Sequence, residues 1–294
     1  MIDKVISPYQ TAFIPGRNIL EGVVILQEVM HEVRSSMSSG VFIKLDFEKT
    51  FGKVKWEFLE EVLYMKGFAE KWIQWLNKAD RGGRVCIDLN GDRGEFFRSY
   101  KGLGQGDPLS PLLFNLVVNA PSGMLSRVCA TGIINGLVPN LVEGGLSHLH
   151  YADDTVILLQ YSPEILRNIR LILSSYEVMS GMKINYEKSE IFSIGINEEL
   201  LLAANVFGCK IGSFLMKYLG MPVSSSKISK AQLGYVSDKI EKRLGMWQCE
   251  YLSSGGRSSL IDSCLSSVPL YTMGVYQLYE GNFQKIDAIR ARFY

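Results

Sequence analysis

Two adjacent carboxylates, Asp153 and Asp154, fall in Tyr151-Ala-Asp-Asp154 between two β-prone runs, residues 146–150 and 155–159. Two like charges on a tight hairpin tip are unfavourable unless cations neutralise them. Two hard divalent ions with oxygen ligands would do so. A third acid, Asp46, lies in Val41-Phe-Ile-Lys-Leu-Asp46-Phe47, a strand-like run in which Asp is disfavoured on propensity. One strand acid and a paired acid on a neighbouring hairpin can bridge two ions about 3.5–4 Å apart, which stabilise the attacking and leaving oxygens of a phosphoryl transfer. The ion that suits such a set is Mg²⁺, which keeps some waters and takes the rest of its shell from carboxylates and substrate phosphates; Mn²⁺ is the alternative. The plainer reading of Asp-Asp is a solvated turn, since turns favour Asp anyway. The apolar flanks and the isolated Asp46 weigh against it.

The elements that must position these acids are legible as alternating helix and strand signals, which predict a mixed α and β domain. Val41, Ile43, Leu45 and Phe47 share one strand face, so Asp46 is on the other. Residues 17–34 read as a helix after a turn at Pro15-Gly16, and 55–66 as an amphipathic helix with Trp56, Leu59, Val62 and Leu63 on one side. Residues 84–99 read as a hairpin turning at Asn90-Gly91. Pro108 opens a helix, and Pro121 inside it predicts a kink or a break. Residues 163–180 form a further helix with Ile165, Ile169, Ile172, Tyr176 and Met179 on one side. Short strands are expected in 183–194 and 216–223, and a moderately basic helical region from about residue 227. His148 and His150 alternate beside the acids and read as strand-face residues, not ligands.

The bulk numbers agree with a folded chain. Its 294 residues are 47% hydrophobic and 21% charged, with a net charge of +1, enough to bury a large core. A near-neutral balance gives no support to nucleic-acid binding, although a basic groove can occur on a neutral protein. The five cysteines, Cys86, Cys129, Cys209, Cys249 and Cys264, have no zinc-type spacing and suit a reduced compartment. No apolar run reads as long enough to span a bilayer, and the N-terminus lacks signal-peptide character.

In their order along the chain, the motifs resemble those of reverse transcriptases of LINE-type (non-long-terminal-repeat) retrotransposons, plant type. Gln10-Thr-Ala-Phe-Ile-Pro-Gly-Arg17 resembles the fingers segment before the first catalytic strand. Lys44-Leu-Asp-Phe-Glu-Lys-Thr-Phe51 resembles the first catalytic motif, Gln105-Gly-Asp-Pro-Leu-Ser-Pro111 the second, and Tyr151–Asp154 the signature hairpin. Ser180-Gly-Met-Lys-Ile-Asn185 through Lys188-Ser189 resembles the segment that follows it, Tyr218-Leu-Gly-Met-Pro222 the primer grip, and Leu252-Ser-Ser-Gly-Gly-Arg257 the thumb side.

The resemblance implies an α+β right-hand polymerase fold: partial fingers in 1–40, a palm with an antiparallel sheet packed on helices in 41–225, and a thumb-like helical region in 226–294. It implies an RNA-directed DNA polymerase that extends a DNA primer on an RNA template with deoxynucleoside triphosphates, in the nucleus and away from membranes. Asp46, Asp153 and Asp154 match the metal-binding carboxylates, and Lys188 the lysine placed to protonate pyrophosphate. Phe51 matches the aromatic gate against a 2′-hydroxyl; Gln105 and Gly106 match the nucleotide side. Arg17, Tyr151, Tyr218 and Gly220 match template and primer positions. Four departures point to weak or absent activity, or to an inactive nucleic-acid-binding remnant of the same fold: Gly52 for an acid, Gly104 for a basic residue, Pro121 for an apolar one, and a late start that reads as a truncated copy. A small-molecule nucleotidyl transferase or cyclase on a similar palm would not need the 105–111 and 218–222 segments.

Overall fold

The computed structural model describes residues 5–104, 106–196, 199–213, 215–245 and 252–294. It divides into two compact units, Met1–Gly22 with Glu32–Ser213, and Val23–His31 with Phe214–Tyr294.

The first unit begins with the N-terminal segment and the ends of helix α1 (Ile19–Ser35), whose Asn18 side chain caps the first turn. Then come β1 (Gly40–Leu45), β2 (Phe47–Glu48), α2 (Thr50–Lys53), α3 (Trp56–Met65), α4 (Glu70–Gly82) and the short strands β3 (Asp88–Leu89) and β4 (Asp92–Arg93). Helix α5 (Ser110–Ala130) leads to β5 (His148–Tyr151), β6 (Asp154–Leu159), α6 (Pro163–Ser180), β7 (Lys183–Ile184), β8 (Glu190–Ile194), α7 (Leu200–Phe207) and β9 (Lys210–Ile211). The second unit holds the middle of α1, the hairpin β10 (Met216–Tyr218) and β11 (Met221–Val223), and helices α8 (Tyr235–Leu244), α9 (Ser254–Leu260), α10 (Val268–Met273) and α11 (Glu280–Phe293).

The main sheet has the order β5-β6-β1-β8-β9, antiparallel except for the parallel β8–β9 pair. The central strand β1 departs from the expected alternation. Phe42 is as buried as Val41 and Ile43, because paired neighbours flank β1 and apolar side chains cover both sheet faces. One core gathers α3, α4 and α5 residues such as Phe58, Leu63, Ile73 and Phe114; another packs β1, β6 and β8 against α6 and α7 through Ile43, Ile157, Ile191, Leu173 and Phe207. On α6 the buried stripe runs through Leu166, Ile169, Leu173 and Tyr176, whereas Met179 is exposed. The second unit has its own core of Leu233, Ile240, Leu265, Ile286 and Phe293.

Helix α5 corrects two expectations. It is long and apolar enough, by length and composition, to cross a membrane, contrary to the sequence reading. However, Leu113, Phe114, Leu116, Val117 and Val118 are buried inside the first unit, as in the core helix of a globular domain. The helix also runs through Pro121 without the break that was one of its two expected outcomes. A proline there removes the donor that would bond the carbonyl four residues back. That carbonyl, Val117 O, instead accepts from the buried Tyr176 hydroxyl at 3.3 Å. A neighbouring helix supplies the hydrogen bond that the proline cannot.

Candidate active site

Three strand ends bring the acids together. In the β1–β6 ladder Leu45 pairs with Thr155, and in the β5–β6 hairpin Tyr151 pairs with Asp154. Asp46 follows Leu45 and Asp154 precedes Thr155, so these two acids stand one step beyond the last β1–β6 pair, and Asp153 lies in the two-residue tip with Ala152. Asp46 is exposed, while Asp153 and Asp154 are half-buried. Burial raises the Asp154 carboxyl above its usual range, Asp153 and Asp46 raise it further, and Lys44 on β1 opposes them. All three carboxylates thus share one electrostatic neighbourhood, which was the essential expectation for the sequence motifs.

Several residues quoted in the motifs but given no role there fix this corner. The Asp46 N–H donates to Ser189 Oγ at 3.1 Å, and Ser189 Oγ donates to Asn185 O at 2.8 Å. Asp46 O accepts from the Asn185 N–H at 2.7 Å. The turn before β8 therefore grips the backbone of Asp46 on both sides. Thr50, buried at the start of α2, donates to Asp153 Oδ2 at 3.4 Å. The hairpin tip bends through Ala152 at φ 52°, and the Ala152 N–H donates to Gln10 Oε1 at 3.0 Å. Ser189 and Asn185 lay within a segment singled out for its motif; their partners are over a hundred residues away, so no local signal reveals them.

The remaining expected positions are distributed around this corner or outside it. Phe51 stacks on Phe114 at 4.4 Å and lines a cavity of about 410 Å³ with Gly104, Gly106, Asp107, Pro108, Ser110 and Pro111. Gly106 has φ 91°, a backbone that glycine adopts readily. Gln105 lies outside the described residues. Lys188 is exposed, and its charge, with that of Lys53 and Lys183, lowers the Glu48 carboxyl, for which the Lys53 hydrogen bond is the main cause. Arg17 Nη1 donates to Ser7 O at 2.7 Å and to Gln10 O, so this edge of its guanidinium braces a loop. Tyr151 is half-buried beside Thr11, Phe13 and Arg17. In the second unit Tyr218 is buried, and Leu219 and Gly220 turn the β10–β11 hairpin at φ 48° and 78°. His148 and His150 are buried in β5, and burial holds both imidazoles neutral, His148 down to about 4.

Among the described residues, no three His, Cys, Asp or Glu donors close on one cation position. The chemistry of the donor set nevertheless fits a hard divalent ion. Every candidate ligand is a carboxylate oxygen, and the Asp154 carboxyl is raised first by burial and then by the neighbouring Asp153 and Asp46 charges, a repulsion that a cation would relieve. Mg²⁺ needs only one or two carboxylates, with waters and phosphates completing its shell.

A family model described as "Reverse transcriptase (RNA-dependent DNA polymerase)" matches residues 1–252. The "Transposon TX1 uncharacterized 149 kDa protein" of Xenopus laevis is 26% identical over 278 residues, 93% of this chain and 21% of that protein. The "Retrovirus-related Pol polyprotein from type-2 retrotransposable element R2DM" of Drosophila melanogaster is 25% identical over 190 residues, 65% of this chain and 17% of its own length. The chain thus spans about a fifth of these curated relatives. Among solved structures, apo telomerase from Candida tropicalis superposes with a TM-score of 0.51 at 12% identity, covering 97% of this chain and 50% of that one. Telomerase from Candida albicans in complex with a TWJ fragment of telomeric RNA superposes at 0.52 and 8% identity, covering 97% and 48%. These likenesses carry the fold, the right-hand arrangement of polymerases.

Proposed function

The chain belongs to the reverse transcriptase (RNA-dependent DNA polymerase) family, and from that premise we propose that its acidic corner is the site of RNA-templated DNA synthesis. The observation that carries this reading is the meeting of Asp46 with Asp153 and Asp154 at one end of the β1–β6 ladder. In the reaction a primer 3′-hydroxyl attacks the α-phosphate of a deoxynucleoside triphosphate, and pyrophosphate leaves. Asp46 and Asp153, with Asp154 in support, would hold Mg²⁺, which supplies charge neutralisation for the attacking and leaving oxygens when bound. The chain's own part is positioning. Ser189 and Asn185 fix Asp46, Thr50 orients Asp153, and Phe51 presents its ring to the cavity beside Gly106. That ring would crowd a ribose 2′-hydroxyl. Lys188 is the candidate proton donor to the leaving group. The domains proposed are partial fingers in 1–40, palm in 41–225 and the start of a thumb in 226–294; the two compact units divide the chain differently, since Val23–His31 and the β10–β11 hairpin fall in the second unit. RNA binding, seen in the Candida albicans telomerase in complex with a TWJ fragment of telomeric RNA, is proposed here for the template.

A second reading, an inactive nucleic-acid-binding remnant, is favoured by one feature. No cationic side chain is among the described residues lining the cavity at Phe51, where a triphosphate would call for one, and Gly104 stands there. Primer extension on a primed RNA template with Mg²⁺ separates the two. Weak synthesis that disappears in Asp153→Asn supports the polymerase. Retained duplex binding with no synthesis in either protein supports the remnant. Synthesis undiminished in Asp153→Asn would overturn the site.

A further inference from the structure

We infer that Gln10 is the positioning residue that sets the tip of the acidic hairpin, an inference that rests on the metal-binding reading of Asp153 and Asp154. Gln10 is fully buried, and its Oε1 accepts from two backbone donors, Ala12 N and Ala152 N, each at 3.0 Å. A carbonyl oxygen has two lone pairs, and both are used. These two donors also fix the orientation of the amide, since a flipped group would turn its NH₂ on them. One atom thereby ties the N-terminal segment to the residue immediately before Asp153.

The surrounding contacts show why this tie matters. The backbone of residues 9–11 runs along the outer edge of β5: His150 N donates to Tyr9 O at 2.9 Å, and Thr11 N to His150 O at 3.1 Å. Those bonds hold the strand but stop short of the tip. Ala152 lies beyond them at φ 52°, a left-handed conformation that an alanine adopts only when its surroundings hold it there. Its N–H is taken by the Gln10 side chain. On the far side of the tip Thr50 meets the Asp153 carboxylate. Gln10 therefore sets the backbone of the turn, and Thr50 the side chain, from opposite ends of the sequence motif. The buried Asn115 Nδ2 in turn donates to Ala12 O at 2.6 Å, so α5 anchors the segment that carries Gln10.

The test uses the 294-residue chain and Mn²⁺ alone as the probe, read by electron paramagnetic resonance, together with hydrogen exchange of the Ala152 amide. Gln10→Met keeps the volume and removes the acceptor; Gln10→Glu keeps an acceptor oxygen at the same reach. Removing an outer-shell partner of a metal ligand weakens metal affinity by roughly 10–100-fold. The expected result is faster Ala152 exchange and at least a tenfold rise in Mn²⁺ half-saturation in folded Gln10→Met, with Gln10→Glu keeping the wild-type protection of the Ala152 amide. If Gln10→Met does not fold, Gln10→Asn, one methylene short, carries the same expectation. Loss of Ala152 protection with unchanged Mn²⁺ binding would overturn the inference alone. A wild-type chain that binds no Mn²⁺ would overturn the metal reading, and this inference with it.

Discussion

The first unit contains two hairpins with two-residue tips that are held in opposite ways. The β3–β4 hairpin turns at Asn90-Gly91 with φ 55° and 93°, and Asp88 Oδ1 accepts from the Gly91 N–H at 2.9 Å. Residues 88–93 are all exposed. Its turn chemistry is entirely local, with the residue types that left-handed φ favours. The β5–β6 hairpin has Ala152 in the left-handed region, which alanine does not favour, and two like charges side by side at its end, so its tip is not an autonomous turn. It exists because β1, the 9–11 segment, Gln10 and Thr50 enclose it. Where a hairpin has only to turn, neighbouring residues suffice. Where it presents charge, the rest of the domain must hold it.

The sharpest break of this comparison is in the strands. Ile157 on β6 is fully buried, and Ile157→Ala is expected to cost about 2–5 kcal/mol in urea unfolding. A cost near zero would mean that the enclosure is loose. The next effect comes from pH. Burial favours neutral His148, whose pKa falls from 6.5 to about 4. A base with a lowered folded pKa contributes stability that is complete above pH 6.5 and is lost as the pH falls towards 4, about 3 kcal/mol in all. His150, also held neutral by burial, adds to this loss, whereas the raised Asp154 carboxyl works in the opposite sense. His148→Phe, which cannot take up a proton, should flatten the dependence between pH 6.5 and 4; an unchanged slope would place the loss elsewhere.

A smaller effect tests the same principle in α5. Tyr176→Phe leaves Val117 O without its donor, at a cost of about 1–3 kcal/mol. In a Pro121→Ala background, where the backbone donor returns, the cost should shrink; equal costs would show that the tyrosine does not substitute for the helix bond. Least of all should Leu89→Ala matter. At 71% exposure on β4's partner strand, it should stay within about 0.5 kcal/mol by thermal melting. A larger loss would mean that the local hairpin also leans on the fold.

Much of this was legible in the sequence where local signals act alone. Helix α6 begins at Pro163, with Ser162 capping the Glu164 N–H, and closes at Gly181 with φ 77°. The Asn90-Gly91 turn was read from two letters. The acidic corner was legible because ordered motifs, not periodicity, carried it. The double burial of β1 was not, since alternation describes a strand with one wet face and β1 is central in its sheet. Helix α7 and strand β9 went unread between stronger signals. Pro121 was read as a kink or a break because nothing local shows that Tyr176, 55 residues on, reaches Val117 O. Gln10 was quoted within a motif without a role, because its partner Ala152 lies 142 residues away.

The central claim is that Asp46 and the Asp153–Asp154 tip together hold a divalent cation. Crystals soaked with Mn²⁺ and dTTP test it directly through anomalous diffraction. The expected result is a peak within about 2.0–2.4 Å of carboxylate oxygens of Asp46 and Asp153, the range of a directly coordinated hard cation, and its loss in Asp153→Asn. A bound triphosphate with its Mn²⁺ away from these carboxylates, or a peak unchanged in Asp153→Asn, would contradict it.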